Sequence, residues 1–207
     1  MSFKNRANEW DNDKRINRAK ILSNKIFDLV ENGKNLTVME YGCATGLLSF
    51  NLKDNFKKIT LIDNEIEMIK IVQKKIKDNN IDNIFPLNID LISENYTEEK
   101  FDVIYTSLTL HHILNTKDII KKFYELLNKN GILIIIDLDK EDGTFHINSP
   151  SFKGHNGFEH SYINNIMNEL GFKDIKIESF YKDTKIIKEK IIPYSLFYAI
   201  GKKLNKN

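Results

Sequence analysis

Glu40, Gly42, Ala44 and Gly46 make the pattern ExGxAxG, an acid followed by three small residues at alternate positions in a chain of 207 residues. The apolar run Leu36–Met39 leads into the acid, and Leu47, Leu48 and Leu52 follow at helical spacing. That order reads as a strand, a tight turn and the opening of a helix. Residues with no Cβ, or only a methyl, let a ligand lie against the main chain at a helix N-terminus. A dinucleotide turn would read GxGxxG with no leading acid, so the spacing points to a different ligand. Cys43, inside the turn, reads as a small filler rather than a nucleophile.

Further chemistry-bearing residues stand at the ends of later apolar runs. Asp63 closes the next run, about 20 residues past the turn, where a carboxylate in a doubly wound fold can accept from two ribose hydroxyls. The competing reading makes it the N-cap of a helix over Glu65–Asp78. Met68 is either core or the flank of an aromatic ring. Asp90 can accept from an exocyclic amine or serve as a plain loop acid. His111 and His112 follow the run Phe101–Ser107, and an imidazole titrating near neutrality suits a general base; packing or capping is the alternative. Asp137 and Asp139 end the most apolar run and either face a substrate or cap loops. His146, His155 and His160 are spaced too irregularly for a metal site, so no metal is expected and they read as surface or lid residues.

Alternating elements must position these groups. Helical spacing covers about Asp11–Val30, stopped by Asn32-Gly33. Trp10 and Arg15 either cover a ligand or act as an aromatic staple and a solvated charge; residues 1–10 are otherwise expected to fray. Strands are expected at Leu36–Tyr41, Lys57–Ile62, Asn83–Leu87, Phe101–Ser107 and Ile132–Leu138, the last as the central strand. Helices are expected at Thr45–Asn55, Glu65–Asp78, Asp118–Leu127 and Ser161–Leu170, with a turn at Asn128–Gly131. The segment Lys140–Glu159 has no period and reads as a lid or binding loop. Two closing strands, Ile175–Tyr181 and Ser195–Ile200, are joined by a Lys-rich connection without a helix, which implies an antiparallel pair.

The totals exclude several classes. With 31 basic and 29 acidic side chains the formal net charge is +2, which disfavours a nucleic-acid binder. One cysteine permits no internal disulfide, and no apolar run is long enough to span a membrane. The polar start suggests no secretory leader, so a cytoplasmic protein is expected.

Together, ExGxAxG at 40–46, LIDNEIEMI at 61–69, NIDL at 88–91, FDVIYTSLTLHHI at 101–113, LNKNGILIIIDL at 127–138 and GF at 171–172 resemble the class I S-adenosylmethionine-dependent methyltransferases, in their small-molecule, type-11/12-like branch. The resemblance covers about residues 35–202. It implies an α/β fold: a doubly wound, mostly parallel seven-stranded sheet with helices on both faces and an antiparallel C-terminal edge hairpin. It also implies an N-terminal helical cap over residues 1–34 and the methyltransferase domain over 35–207, compact as a whole. The backbone from Gly42 through Cys43 and Ala44 to Gly46 would cradle the methionine part and ribose of S-adenosylmethionine. Glu40 would orient that loop and reach the amino group, and Asp63 would hold the ribose. Asn64 and Met68 would flank adenine, Asp90 with the Leu91 amide would read its edge, and Ser107 would meet the amino-acid end. Ala44 departs from the family's usual central glycine and narrows the approach. The implied acceptor is a small molecule, taken by a monomer or homodimer, with His111 and His112 as candidate bases. The alternative is a weakly active or inactive methyltransferase-like subunit that serves a partner.

Overall fold

The computed structural model describes residues 10–94, 96–149, 151–187 and 190–204. Apart from Trp10, the segment expected to fray lies outside these residues, as do Pro150 of the central loop and residues 188–189 of the Lys-rich connection. Two compact units, residues 1–105 and 106–207, divide the chain.

In the first unit, α1 (Asp13–Leu29) opens on an Asn12 cap whose side chain accepts from the Arg15 amide at 3.0 Å. It is followed by β1 (Thr37–Tyr41), α2 (Leu47–Leu52), β2 (Lys58–Asp63), α3 (Ile66–Asp78), β3 (Ile84–Asn88) and β4 (Phe101–Ser107), whose last two residues fall in the second unit. β1 pairs with β2, and β2 with β3, in parallel. Val38, Met39, Ile59, Leu61 and Ile62 are fully buried, the near-continuous apolar run that a strand covered on both faces requires. Met68, Ile69 and Val72 of α3 are also buried. Asp102, at the start of β4, accepts from the Thr37 amide and hydroxyl at 2.9 and 3.0 Å, tying it to β1.

The second unit contains α4 (Thr116–Leu126), β5 (Leu127–Leu138), α5 (His160–Leu170), β6 (Lys173–Ile187) and β7 (Lys190–Lys202). α5 ends at Gly171, whose φ of 97° suits the left-handed stop; the Phe172 amide then returns to the Met167 carbonyl. The seven strands form one sheet in the order β3-β2-β1-β4-β5-β7-β6. β7 runs antiparallel to both β5 and β6. The fold is the α/β sheet with a closing antiparallel hairpin that the sequence implies.

Four local expectations are corrected. The helix expected over Thr45–Asn55 is α only at Leu47–Leu52 and tightens into a 3-10 turn at Lys53–Asn55. β5 begins at Leu127, so the expected turn Asn128–Gly131 lies within it. Asn130, at φ 62°, supplies the bend, and the Asn130 amide and Gly131 carbonyl both bond to the main chain of Lys203, a partner distant in sequence. The middle position of the sheet belongs to β4, with β5 beside it. The closing strands extend well beyond the apolar residues. Polar residues stay paired there because Asp183 accepts from both Tyr181 and Tyr194 hydroxyls. Pro193 fits because β7 pairs with β5 only from Leu196 onward, leaving it beside β6 alone, opposite Thr184.

Candidate functional site

In the first unit the small-residue turn takes an alternating left-handed path: φ is 71° at Gly42, 47° at Ala44 and 78° at Gly46. Glycine adopts this region freely, but alanine pays about 1–2 kcal/mol for it. The loop is stitched down from below. The Gly42 and Cys43 amides both donate to the Ile62 carbonyl, at 2.8 and 3.1 Å. The Ala44 amide donates to Asp63 Oδ2 at 2.8 Å, while Asp63 Oδ1 accepts from the Glu65 amide at 2.9 Å. Asp63 therefore meets the backbone at the start of α3 and also grips the loop. Burial raises its pKa, against the pull of those two amides. A carboxylate offers about four acceptor positions, so two amides leave room for two hydroxyls. A Cβ at Gly46 would come within 2.9 Å of Phe50, so this glycine serves packing as well as conformation.

Glu40 is buried at 2% exposure and accepts from Ser49 Oγ, which lies 2.6 Å from the Tyr105 hydroxyl. Burial pushes its pKa up to about 8, with the Ser49 hydrogen bond opposing the shift. Cys43 is buried too, and its thiol is raised by burial and then by Asp63 and Glu40. It stays protonated at neutral pH, as a filler should. Met68 is 1% exposed at the first turn of α3, whereas Asn64 is exposed. Asp90 closes its own turn, accepting from the Ile92 amide and the Ser93 hydroxyl, each at 2.9 Å; Leu91 beside it is buried. Trp10 and Arg15 pair with each other: the guanidinium lies 4.2 Å from the ring centroid and donates to the Trp10 carbonyl.

Two sets of partners in this unit escaped the sequence reading. One is Ser49 and Tyr105 behind Glu40. The other is a clamp across the loop, in which Asp11 takes the Thr45 hydroxyl at 2.5 Å and the Lys75 ammonium at 2.6 Å; Lys75 also donates to the Thr45 carbonyl. The contacts join residues between 9 and 64 positions apart with no periodic signal.

In the second unit, Ser107 ends β4 and Leu108 turns the chain at φ 52°, its amide bonded to the Ile136 carbonyl. A 3-10 turn, Leu110–His112, presents the histidine pair. His111 is buried, with Nδ1 2.5 Å from Asp137 Oδ1 and its amide 3.2 Å from Oδ2. Asp137, fully buried, thus orients a histidine. Asp139 accepts from His160 Nε2 at 2.7 Å and from Ser179. The loop after β5 folds back: a 3-10 turn at Thr144–His146 brings His146 to within 5.1 Å of His111 and 5.6 Å of His112, centroid to centroid. The His155 amide donates to the His111 carbonyl at 2.7 Å, and a Cβ on Gly154 would strike that carbonyl at 2.0 Å. Burial lowers the pKa of His112 to about 4 and that of His146 to about 3, with the neighbouring His111 next in effect. Both are neutral at physiological pH. From its spacing His146 reads as a surface or lid residue; only the returning loop places it beside the pair.

The family described as methyltransferase domain matches residues 32–190. An uncharacterized methyltransferase of Schizosaccharomyces pombe is 31% identical over 120 residues, 55% of this chain and 42% of the relative, so the chain spans less than half of that relative's length. Among solved structures, an S-adenosylmethionine-dependent methyltransferase of Aquifex aeolicus superposes with a TM-score of 0.68 at 16% identity, covering 97% of this chain and 98% of its own. Phosphoethanolamine N-methyltransferase 2 of Haemonchus contortus, solved with phosphomonomethylethanolamine and S-adenosylhomocysteine, has a TM-score of 0.73 at 12% identity, covering 91% of this chain and 53% of its own. At those identities the structures show a shared fold. With a family match over most of the length and that fold, this chain belongs to the class I S-adenosylmethionine-dependent methyltransferases.

Proposed function

We propose that this protein transfers the methyl group of S-adenosylmethionine to a small-molecule acceptor. The observation that carries the reading is the grip of Asp63 on the left-handed loop, with the Ala44 amide on one carboxylate oxygen and the Glu65 amide on the other. In this reading the Gly42, Cys43, Ala44 and Gly46 backbone receives the methionine part of the donor, and Asp63 takes the ribose hydroxyls. Met68 and Asn64 flank adenine, Asp90 and the Leu91 amide read its edge, and Ser107 meets the amino-acid end. Glu40 acts from behind the loop, through Ser49.

The donor supplies an already activated sulfonium methyl, so the chain's own tasks are alignment, exclusion of water and removal of a proton where the acceptor carries one. For that last task we assign the histidine pair. Asp137 orients His111, and the His112 ring lies beside it at 4.2 Å, centroid to centroid. The phosphoethanolamine methyltransferase of Haemonchus contortus supports a small acceptor by analogy of fold.

Isothermal titration with S-adenosylhomocysteine tests the donor site, and a metabolite panel followed by mass spectrometry tests transfer. Saturable binding and a product heavier by one methylene support the reading. Absence of binding by folded protein overturns it. Binding without turnover across the panel favours the partner-serving subunit.

A further inference from the structure

The geometry points to a transition-metal site formed by His111, His112 and His146, all within the second unit. One ring nitrogen of each lies within 4.8 Å of the others. Three imidazole nitrogens around a tetrahedral zinc ion stand about 3.3 Å apart, so small ring rotations close the set. The chain brings these rings together from two 3-10 turns, Leu110–His112 and Thr144–His146, and the His155 amide secures the returning loop on the His111 carbonyl.

Two features separate this cluster from a merely aromatic one. Asp137 Oδ1 stands 2.5 Å from Nδ1 of His111 and, as a carboxylate, holds the proton on that nitrogen. Nε2 of His111 is then the lone-pair donor, the carboxylate–histidine arrangement that stands behind metal-bound imidazoles. Nδ1 of His146 is buried and has no hydrogen-bond partner, while its ring is braced flat on Phe152 at 3.7 Å and 8°. A dry ring nitrogen without a partner is costly, and in the tautomer that leaves its lone pair free a metal ion would satisfy it.

Three imidazoles without a carboxylate select zinc, cobalt, nickel, iron or copper over magnesium or calcium. Three protein ligands leave one position open. Resting on the methyl-transfer reading, that position suits an acceptor oxygen or sulfur, bound as the anion once its proton has left to solvent. The acceptor class would then be a hydroxyl, carboxylic acid or thiol, made nucleophilic by the ion in place of an imidazole base.

Chelator-treated protein titrated with Co2+ is expected to bind one equivalent with the strong visible absorption of a four-coordinate site, displaced by Zn2+. His112→Gln and His146→Gln are each expected to weaken binding at least tenfold, with far-UV circular dichroism confirming the fold. In case a variant unfolds, histidine-labelled parent protein should show Zn2+-induced shifts confined to His111, His112 and His146. No Co2+ binding by folded parent protein, undiminished binding by both folded variants, or shifts at other histidines instead would overturn the site. Donor and acceptor are absent from every arm, so its failure leaves methyl transfer to stand or fall on the S-adenosylhomocysteine titration.

Discussion

Single residues in the loop carry opposed demands. Ala44 holds a left-handed φ of 47° that glycine would hold without strain. Ala44→Gly is therefore expected to stabilise the folded protein by up to about 1 kcal/mol, the relief being partly offset by the freer unfolded chain, as chemical denaturation would measure. Glu40 keeps a proton in the folded state up to about pH 8, whereas an ordinary glutamate releases it near 4.5. Between those values the folded state binds more protons than the unfolded, so stability falls as pH rises through the window. Glu40→Gln removes that titration and should flatten the slope, gaining on the parent at pH 8 relative to pH 5 in thermal melts. Asp63→Ala is expected to weaken S-adenosylhomocysteine binding by roughly 1–3 kcal/mol, the scale of a lost charged acceptor. Unchanged affinity in a folded variant would remove the ribose assignment.

At the level of elements, the segments around the two candidate sites are held by main-chain and side-chain contacts. Gly154 has no room for a side chain, because a Cβ would meet the His111 carbonyl at 2.0 Å. Gly154→Ala should displace the loop after β5 at a cost of about 1–3 kcal/mol, an overpacking penalty read as a lowered melting temperature. The clamp of Asp11, Thr45 and Lys75 fastens the start of α1 over the small-residue loop. Thr45→Val keeps shape and removes one hydrogen bond, so a loss of about 1 kcal/mol is expected, with faster amide exchange around residues 10–16. The long β6–β7 hairpin shows how pairing overrides composition: its polar half is strand because each residue finds a partner opposite, although β-propensity alone would end it near Tyr181.

For the whole molecule, binding of a ligand to the native state alone must raise stability by mass action. S-adenosylhomocysteine at one hundred times its dissociation constant should add about 2.7 kcal/mol, visible as a concentration-dependent rise in melting temperature. Asp63→Ala should shrink that rise at fixed ligand. Among the described residues no helix is long and apolar enough to cross a membrane.

The order of strands and helices, the ExGxAxG turn, Asp63 at the following strand end and the closing hairpin were legible because each rests on local pattern: burial sets the period, and small residues mark where the chain must take φ values that side chains resist. The ends of β5, β6 and β7 were not legible, since pairing partners distant in sequence decide where a strand stops. Nor were the groups behind Glu40, the Asp11 clamp, the Asp137–His111 contact or the arrival of His146. Each joins residues between 9 and 64 positions apart with no repeating interval, because only the folded chain brings them into hydrogen-bonding or ring-contact range. The small-residue turn was thus written in local sequence, while the surroundings of the histidines exist only where the tertiary fold brings two turns together.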